Sequence, residues 1–189
     1  RMHHLLGRRF LLRAAAVAQT TCAQRTATTM ATERNRVDAA RELMDSFAQQ
    51  TGLTQQQQQP PVRYLWTDAY AVSNFLALAD DSHYADLADA LVEQVHGVLG
   101  RHRDDDDRAG TTLSGLDEEA AKEQPTLGGL RIGKPLPQRR LGEPYDERLE
   151  WSQDGQYFHY LTKWAHALTQ TGHLDWARTL LVTATDRFR

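Results

Sequence analysis

Carboxylates stand directly before one helix-forming stretch of the sequence, DGQYFHYLTKWAHAL, which runs from Asp154 to Leu168. Glu147 and Glu150 lie just ahead of it, and Asp68 lies near the start of another helix-forming stretch. Two carboxyl groups can divide general-acid and general-base work across a glycosidic bond, at separations of roughly 5 to 10 Å. Asp68, Glu147 and Glu150 are therefore the candidate catalytic residues.

The same carboxylates also have a structural interpretation. Asp68 stands where it would cap a helix N-terminus or complement its dipole. The acids from Asp146 to Glu150 are close enough in sequence to form salt bridges with Arg148, or with Arg139 and Arg140. Both interpretations stay open from the sequence.

Aromatic residues surround these acids, and flat rings beside polar groups form a good surface for a sugar. His159 and Lys163 are four residues apart, on the polar side of a helical period whose apolar side holds Leu161 and Trp164. The predicted substrate-binding residues are Trp66, Tyr70, Trp151, His159 and Lys163. The alternative is that Trp and Tyr at helical spacing belong to the core.

Composition and charge exclude several classes of protein. The chain has 189 residues, of which 40% are hydrophobic and 25% charged, as in ordinary soluble domains. Residues 33–189 hold 17 of the 22 Lys and Arg residues against all 25 acids, a net charge of −8. This acidic body argues against a nucleic-acid partner. No apolar run reaches the roughly 20 residues of a membrane span, so no membrane association is expected.

Residues 1–32 form a leader of different composition, with five Arg and no acid. Its first 29 residues are typical of a mitochondrial transit peptide, and the alternative is translated upstream sequence or a poorly ordered extension ahead of Met30. Cys22 is the single cysteine, which indicates an intracellular, reducing setting. We expect a cytoplasmic protein, or a mitochondrial one if the leader directs import.

Neither a metal nor a cofactor is predicted. His159 and His166 are seven residues apart, so their Cα atoms would lie about 10 Å apart on a helix, too far for one ion. Gly128 to Lys134, GGLRIGK, matches the core of a phosphate-binding loop, but Pro135 replaces the Ser or Thr that would coordinate magnesium. That segment is interpreted as a glycine turn.

Apolar periodicity predicts an all-α fold with about five helices in residues 33–189. The first spans about 35–51 and ends at Gly52, followed by a glutamine-rich linker. Two helices within 64–99 form an antiparallel hairpin, with Ser82 as N-cap of the second. A loop over 101–153 contains one short helix at 116–123, and the last two helices cover about 155–171 and 174–188.

Four segments of the body resemble the six-hairpin glycosidases: RYLWTDAYAVSNFLALA, LVEQVHGVLGRHR, GGLRIGK and GEPYDERLEWSQDGQYFHYLTKWAHAL. The resemblance covers roughly residues 61–188. It implies an (α/α)6 toroid, in which inner helices surround a cavity, and glycoside hydrolase-like or sugar epimerase-like chemistry if the protein is active. The residues that it implies as cavity-lining are Trp66, Asp68, Glu147, Glu150, His159 and Lys163.

A complete ring of hairpins has about twelve helices, whereas about five are predicted here, so the chain is expected to be an N-terminal fragment or truncated product. Such a fragment would expose an apolar helical edge, and we expect poor solubility, self-association or lost activity. Two functions follow from the sequence. One is a carbohydrate-active or carbohydrate-binding protein, and the other is a non-catalytic helical module for interaction or scaffolding.

Overall fold

The computed structural model of the protein describes residues 29–30, 32–54, 61–140 and 142–189. The predicted transit peptide and most of the glutamine-rich linker lie outside the described residues. The predicted all-α class is confirmed, because the described chain is helical and has no β-sheet. Its extended pairings are two isolated bridges, Arg101 with Thr112 and Leu136 with Gln153.

The chain divides into two compact units, Arg1–Leu43 and Met44–Arg189. Helix α1 covers residues 32–50 and belongs to the first unit up to Leu43. In that unit its surface carries an i,i+3 ion pair of 3.9 Å between Arg36 and Glu33. In the second unit Met44 and Ala48 are buried, whereas Leu43 is 68% exposed, so Met44 rather than Leu43 lies on the inner face.

Six further helices belong to the second unit. They are α2 (Leu65–Ala77), α3 (Ser82–Leu99), α4 (Glu118–Glu123), α5 (Glu147–Glu150), α6 (Phe158–Gln170) and α7 (Leu174–Arg187). The predicted N-cap of α3 is wrong by one residue, since the side chain of Asp81 accepts the hydrogen bond from the backbone N–H of His83. The single turn of α5 was not predicted, because four residues are too few to show a period.

Two helical hairpins form the core of this unit. Helices α2 and α3 pack together, α6 packs against α7, and α2 also packs against α6. Leu161, Trp164 and Leu168 are fully buried, which confirms the apolar face predicted for α6. The α2–α6 contact brings the N-terminal halves of these helices together, and this contact positions the candidate site.

Helices α1 and α6 both end at a glycine with positive φ. At Gly172, φ is +82°, and the backbone N–H of His173 donates back to the carbonyl of Leu168 while Gly172 donates to Thr169. This pair of bonds is a Schellman motif, which satisfies the last carbonyls of the helix. Gly52 ends α1 in the same way, as the sequence predicts.

The inner face of α7 differs from the prediction. Helical spacing predicts an inner face of Leu174, Ala177, Leu181, Ala184 and Phe188. Ala177 and Ala184 are buried as predicted, but Leu174, Leu181 and Phe188 are 63%, 41% and 47% exposed. The helix instead turns Leu180 into the core, with Ala177 and Ala184 beside it. Leu180 and Leu181 both lie three or four residues from Ala177 and Ala184, so spacing does not separate them, and packing of α7 against α6 buries Leu180.

A buried ion pair organises the long loop between α3 and α6. The Asp154 carboxylate accepts hydrogen bonds from the Arg131 guanidinium and, at 2.8 Å, from the backbone N–H of Gly133. Arg131 also donates to the carbonyls of Val98 and Arg101 at the end of α3. The loop is therefore fixed to the helices at this point.

None of the helices within the described residues is long and apolar enough to cross a lipid bilayer.

Candidate ligand-binding site

Six ring-bearing side chains gather where α2 and α6 begin, and we call this group the aromatic face. Its members are Tyr64, Trp66, Tyr70, Tyr157, His159 and Tyr160. Packing of α2 against α6 brings these two sets of residues together. Trp66 and Tyr70 are one helical turn apart, so both rings lie on the same side of α2.

Trp66 lies at the centre of the aromatic face. Its ring centroid is 5.2 Å from that of Tyr160, 5.9 Å from that of His159 and 5.5 Å from that of Tyr70. The ring planes are inclined to one another by more than 50°, within the edge-to-face range that aromatic pairs prefer. Trp66 is part-buried and Tyr70 and His159 are exposed, so the face combines fixed rings with rings open to solvent.

The hydroxyl groups of Tyr64 and Tyr160 share a hydrogen bond of 2.5 Å, which joins the start of α2 to the start of α6. Burial raises the pKa of Tyr160, and the hydrogen bond to Tyr64 raises it further. The Tyr160 phenol therefore remains neutral at physiological pH and keeps its proton to donate or to share.

Two lysines border the aromatic face. The ammonium of Lys163 lies 4.6 Å from the ring centroid of Tyr70 and 6.0 Å from that of Trp66. The ammonium of Lys134, from the long loop, lies 4.9 Å from the ring centroid of Tyr64. These distances are within the range of cation–π attraction, and each ammonium supplies hydrogen-bond donors at the rim.

The structure brings together four of the five predicted substrate-binding residues. Trp66, Tyr70, His159 and Lys163 all belong to the aromatic face or border it. Trp151 does not join them, because it follows α5 and is 80% exposed, with no ring contact among those described. Their role in binding a substrate stays a prediction.

Asp68 is enclosed beneath the start of α2. It accepts a hydrogen bond from the backbone N–H of Tyr64 at 3.0 Å and lies 3.8 Å from the buried Arg63 guanidinium. Burial raises the pKa of Asp68 to about 6, against the opposing effects of Arg63 and of the Tyr64 N–H. A carboxyl group with such a pKa can exchange a proton near neutral pH, but its contacts here are those of a helix-capping residue.

Glu147 and Glu150 belong to the short helix α5. Glu147 is exposed, and Glu150 accepts a hydrogen bond of 2.9 Å from the Arg139 side chain, which is one of the salt bridges that the sequence suggested. In the described part of the chain, neither forms a hydrogen bond or a salt bridge with Asp68. Burial raises the pKa of Tyr157 at the edge of the aromatic face, and the nearby charge of Glu150 raises it further. The catalytic assignments remain predictions.

The GGLRIGK segment stabilises the fold and is not arranged to bind phosphate. Arg131, Ile132 and Gly133 donate their backbone N–H groups to Leu99, Gly155 and Asp154, respectively. A phosphate-binding loop needs such groups free to face the ligand. The interpretation as a glycine turn agrees with the positive φ of Gly129 and Gly133.

His96 accepts a hydrogen bond of 3.1 Å from the Trp164 indole, and burial, together with His173, lowers the pKa of His96 to about 3. The half-buried His96 is therefore neutral near physiological pH. Among the described residues, no group of three or more His, Cys, Asp or Glu side chains is arranged to hold a metal ion.

The aromatic face also contains Tyr64, Tyr157 and Tyr160, which are not among the predicted binding residues. Their position at the starts of two helices was the available signal for them. Lys134 had no such signal. It reaches Tyr64 because Arg103 donates to its carbonyl oxygen at 2.7 Å and fixes the loop there, a contact between residues 31 positions apart.

Comparison of the chain with protein-family models, with curated proteins and with solved structures found no match. The resemblance to six-hairpin glycosidases therefore stays a prediction, and the function has to be argued from the geometry described above.

Proposed function

We propose that this helical, six-hairpin glycosidase-like protein binds a carbohydrate on the aromatic face. The observation that carries the proposal is the grouping of Trp66 with Tyr70, His159 and Lys163 on one partly exposed surface. A sugar would stack its C–H groups on a ring, while its hydroxyl groups would meet the lysine ammonium and the imidazole.

Binding is better supported than catalysis. Hydrolysis or epimerisation needs a carboxyl or other acid–base group within hydrogen-bond reach of the sugar. Asp68 is enclosed by Arg63 and the Tyr64 backbone, and Glu150 is engaged with Arg139. We therefore propose sugar binding first, and a role for Asp68 and Glu150 in turnover as a second step. We also propose a cytoplasmic or mitochondrial location.

Titration with neutral mono- and oligosaccharides tests the proposal. Saturable quenching of tryptophan fluorescence is expected for the wild-type protein, because Trp66 would be covered by the sugar. Trp66→Ala should weaken binding by about tenfold or more, since a lost ring stack costs on the order of 1.4 kcal/mol. Isothermal titration calorimetry should measure the affinity of this variant, because the substitution also removes the reporter.

Trp151→Ala is the matched control, since it removes an exposed tryptophan that lies outside the aromatic face. Its affinity for any bound sugar should equal that of the wild type. Equal weakening by the two substitutions would contradict the proposed location of the site, and no response to any sugar would contradict carbohydrate binding itself.

A second function, a non-catalytic interaction module, is favoured by a specific observation. Leu174, Leu181 and Val182 are exposed along the outer side of α7, at 63%, 41% and 54%. Exposed apolar residues that adjoin one another are typical of surfaces that bind another protein. Self-association through a helical edge, which the sequence analysis expects, would use such a surface.

A further inference from the structure

The outer side of α7 combines an apolar groove with charges. The groove has a volume of about 450 Å³ and includes Leu174, Leu181 and Val182 of α7 together with Thr169 of α6. Its rim carries Arg178, Asp186 and Arg189. A partner for this surface must therefore supply apolar contact at the centre and charged groups of both signs around it.

The charges on this side of α7 follow a regular order. Asp175, Arg178, Val182, Asp186 and Arg189 are spaced by three, four, four and three residues. At 100° per residue the four positions within α7 fall within about 40° of the direction of Val182, on one side of the helix, and Arg189 follows two residues after the helix ends. All five side chains are exposed. The signs read minus, plus, apolar, minus, plus, so reversing the order of the residues inverts every charge.

This inversion makes the surface complementary to a reversed copy of itself. Arg178 and Asp186 each lie about 6 Å along the axis from Val182, on opposite sides of it, because each is four residues away at 1.5 Å per residue. In an antiparallel pair centred on Val182, Arg178 would lie level with the partner's Asp186. Asp175, near the start of α7, would lie towards the partner's C-terminal end of α7, which is followed by Arg189.

We propose that α7 pairs antiparallel with α7 of a second copy of this chain, about a two-fold axis beside Val182. Val182 lies at the centre of the contact with charges on both sides of it along the helix, and the apolar groove that includes Leu181 lies beside this line. The contact is isologous, so each opposite-charge pair occurs twice.

The parallel arrangement is disfavoured by the same charges. In a parallel two-fold pair each residue lies level with its own copy, so Arg178 would meet the partner's Arg178 and Asp186 the partner's Asp186. Like charges in register repel one another, and such repulsion selects against the arrangement. Within the chain, Asp186 and Arg189 form an exposed pair of 3.6 Å, which leaves both side chains accessible to a partner.

This dimer rests on the proposed interaction function, with a second copy of the chain as the partner. One pair of helices buries less surface than a standard interface, so a dissociation constant of roughly 10 µM to 1 mM is expected. Sedimentation velocity of the full chain at about 1 µM to about 1 mM covers this range. The wild-type protein should change from monomer to dimer across it.

Charge reversal gives the decisive comparison. Arg178→Asp and Asp186→Arg should each weaken the dimer at least about tenfold, because each places like charges in register. The double variant should recover the wild-type dissociation constant, since the opposite charges are restored with their positions exchanged. Far-UV circular dichroism should show that all three variants keep their helices.

Glu93→Arg is the matched control, because it changes an exposed acid on α3 by the same charge as Asp186→Arg does on α7. It should leave the dissociation constant unchanged. A dimer that resists both single reversals would overturn the α7 pairing while leaving self-association in place. A monomer at every concentration would overturn self-association as well.

Discussion

Asp68, which is buried, and His96, which is half-buried, are titratable groups whose effects on stability have opposite signs. Burial raises the pKa of Asp68 to about 6, whereas an unfolded aspartate has a pKa of about 3.9. Between these two pH values the folded protein keeps the proton that the unfolded chain has lost. Its contribution to stability is present below about pH 4 and is lost as the pH rises through 6. Arg63 and the Tyr64 N–H reduce this shift without reversing it.

His96 acts the other way. Burial and the neighbouring His173 lower its pKa to about 3, below the value of about 6.5 for an unfolded histidine. The unfolded chain therefore takes up the proton first, and the contribution of His96 to stability is lost as the pH falls from about 6.5 towards 3. The hydrogen bond that the Trp164 indole donates to Nε2 requires the same neutral imidazole.

Asp68→Asn isolates the first of these effects. The free energy of unfolding of the wild-type protein, minus that of the variant, should fall by roughly 2 to 3 kcal/mol between pH 4 and pH 7. Titration of His96 cancels in this difference because both proteins contain it. Urea denaturation at several pH values would measure the effect.

The control for this measurement is Glu93→Gln, which removes an exposed carboxylate from α3, outside the α7 contact. The corresponding difference for this variant should not reproduce the fall expected for Asp68→Asn. A wild-type-minus-Asp68→Asn difference that stays constant between pH 4 and pH 7 would show that burial does not raise the pKa of Asp68.

The contact between the long loop and α2 depends on one glycine. Gly133 has a φ of +85°, and a Cβ atom added there would lie 2.0 Å from the carbonyl oxygen of Arg63. The adjacent Ile132 carbonyl accepts the first N–H of α2, from Leu65, at 3.0 Å. The close approach of the loop to this backbone therefore requires the absence of a side chain as well as the left-handed conformation.

Gly133→Ala should consequently be more destabilising than an alanine at an ordinary left-handed glycine. Gly110 has a φ of +77° with open space around its Cβ position, so Gly110→Ala should cost about 1 kcal/mol through backbone conformation alone. Gly133→Ala should cost about 2 kcal/mol more, because the backbone must also move. Thermal unfolding of the two variants would compare them, and equal losses would exclude the steric effect.

The elements differ in how far the sequence could predict them. The α6 face was readable because Leu161, Trp164 and Leu168 recur at helical spacing and all are buried. In α7, Leu180 and Leu181 are adjacent, and periodicity could not decide which one faces inward until packing against α6 selected Leu180.

The ion pair between Arg131 and Asp154 in the long loop could not be predicted from the sequence, for a different reason. Arg131 and Asp154 are 23 residues apart in a stretch without periodicity, and their pairing depends on how the loop folds back on α3. The available signal was an arginine between the apolar Leu130 and Ile132, both of which are buried. The same dependence on loop folding hid the contact of Lys134 with the aromatic face.

At the scale of the whole molecule, self-association should couple to stability. A dimer that forms only in the folded state raises the melting temperature with protein concentration, by mass action. We expect a rise of about 2 °C or more between about 5 µM and about 500 µM for the wild-type chain. Differential scanning calorimetry would measure it.

Arg178→Asp should remove this concentration dependence while leaving a single transition at low concentration. A melting temperature that is independent of wild-type concentration would contradict folded-state dimerisation. The expectation of an incomplete toroid remains a prediction of the sequence, and a compact monomer that unfolds cooperatively at every concentration would contradict it.

The hydrogen bond from Leu65 to Ile132 also bears on how the chain reaches its fold. The two residues are 67 positions apart, and Arg131, from the same segment, donates its backbone N–H to Leu99 at the end of α3. The α2–α3 hairpin can form from local contacts. The start of α2 and the end of α3 gain these hydrogen bonds only after the long loop has folded back onto them. Loop closure of this length gives the protein a higher contact order than a bundle with short connections, so it should fold more slowly than its helical content alone would indicate.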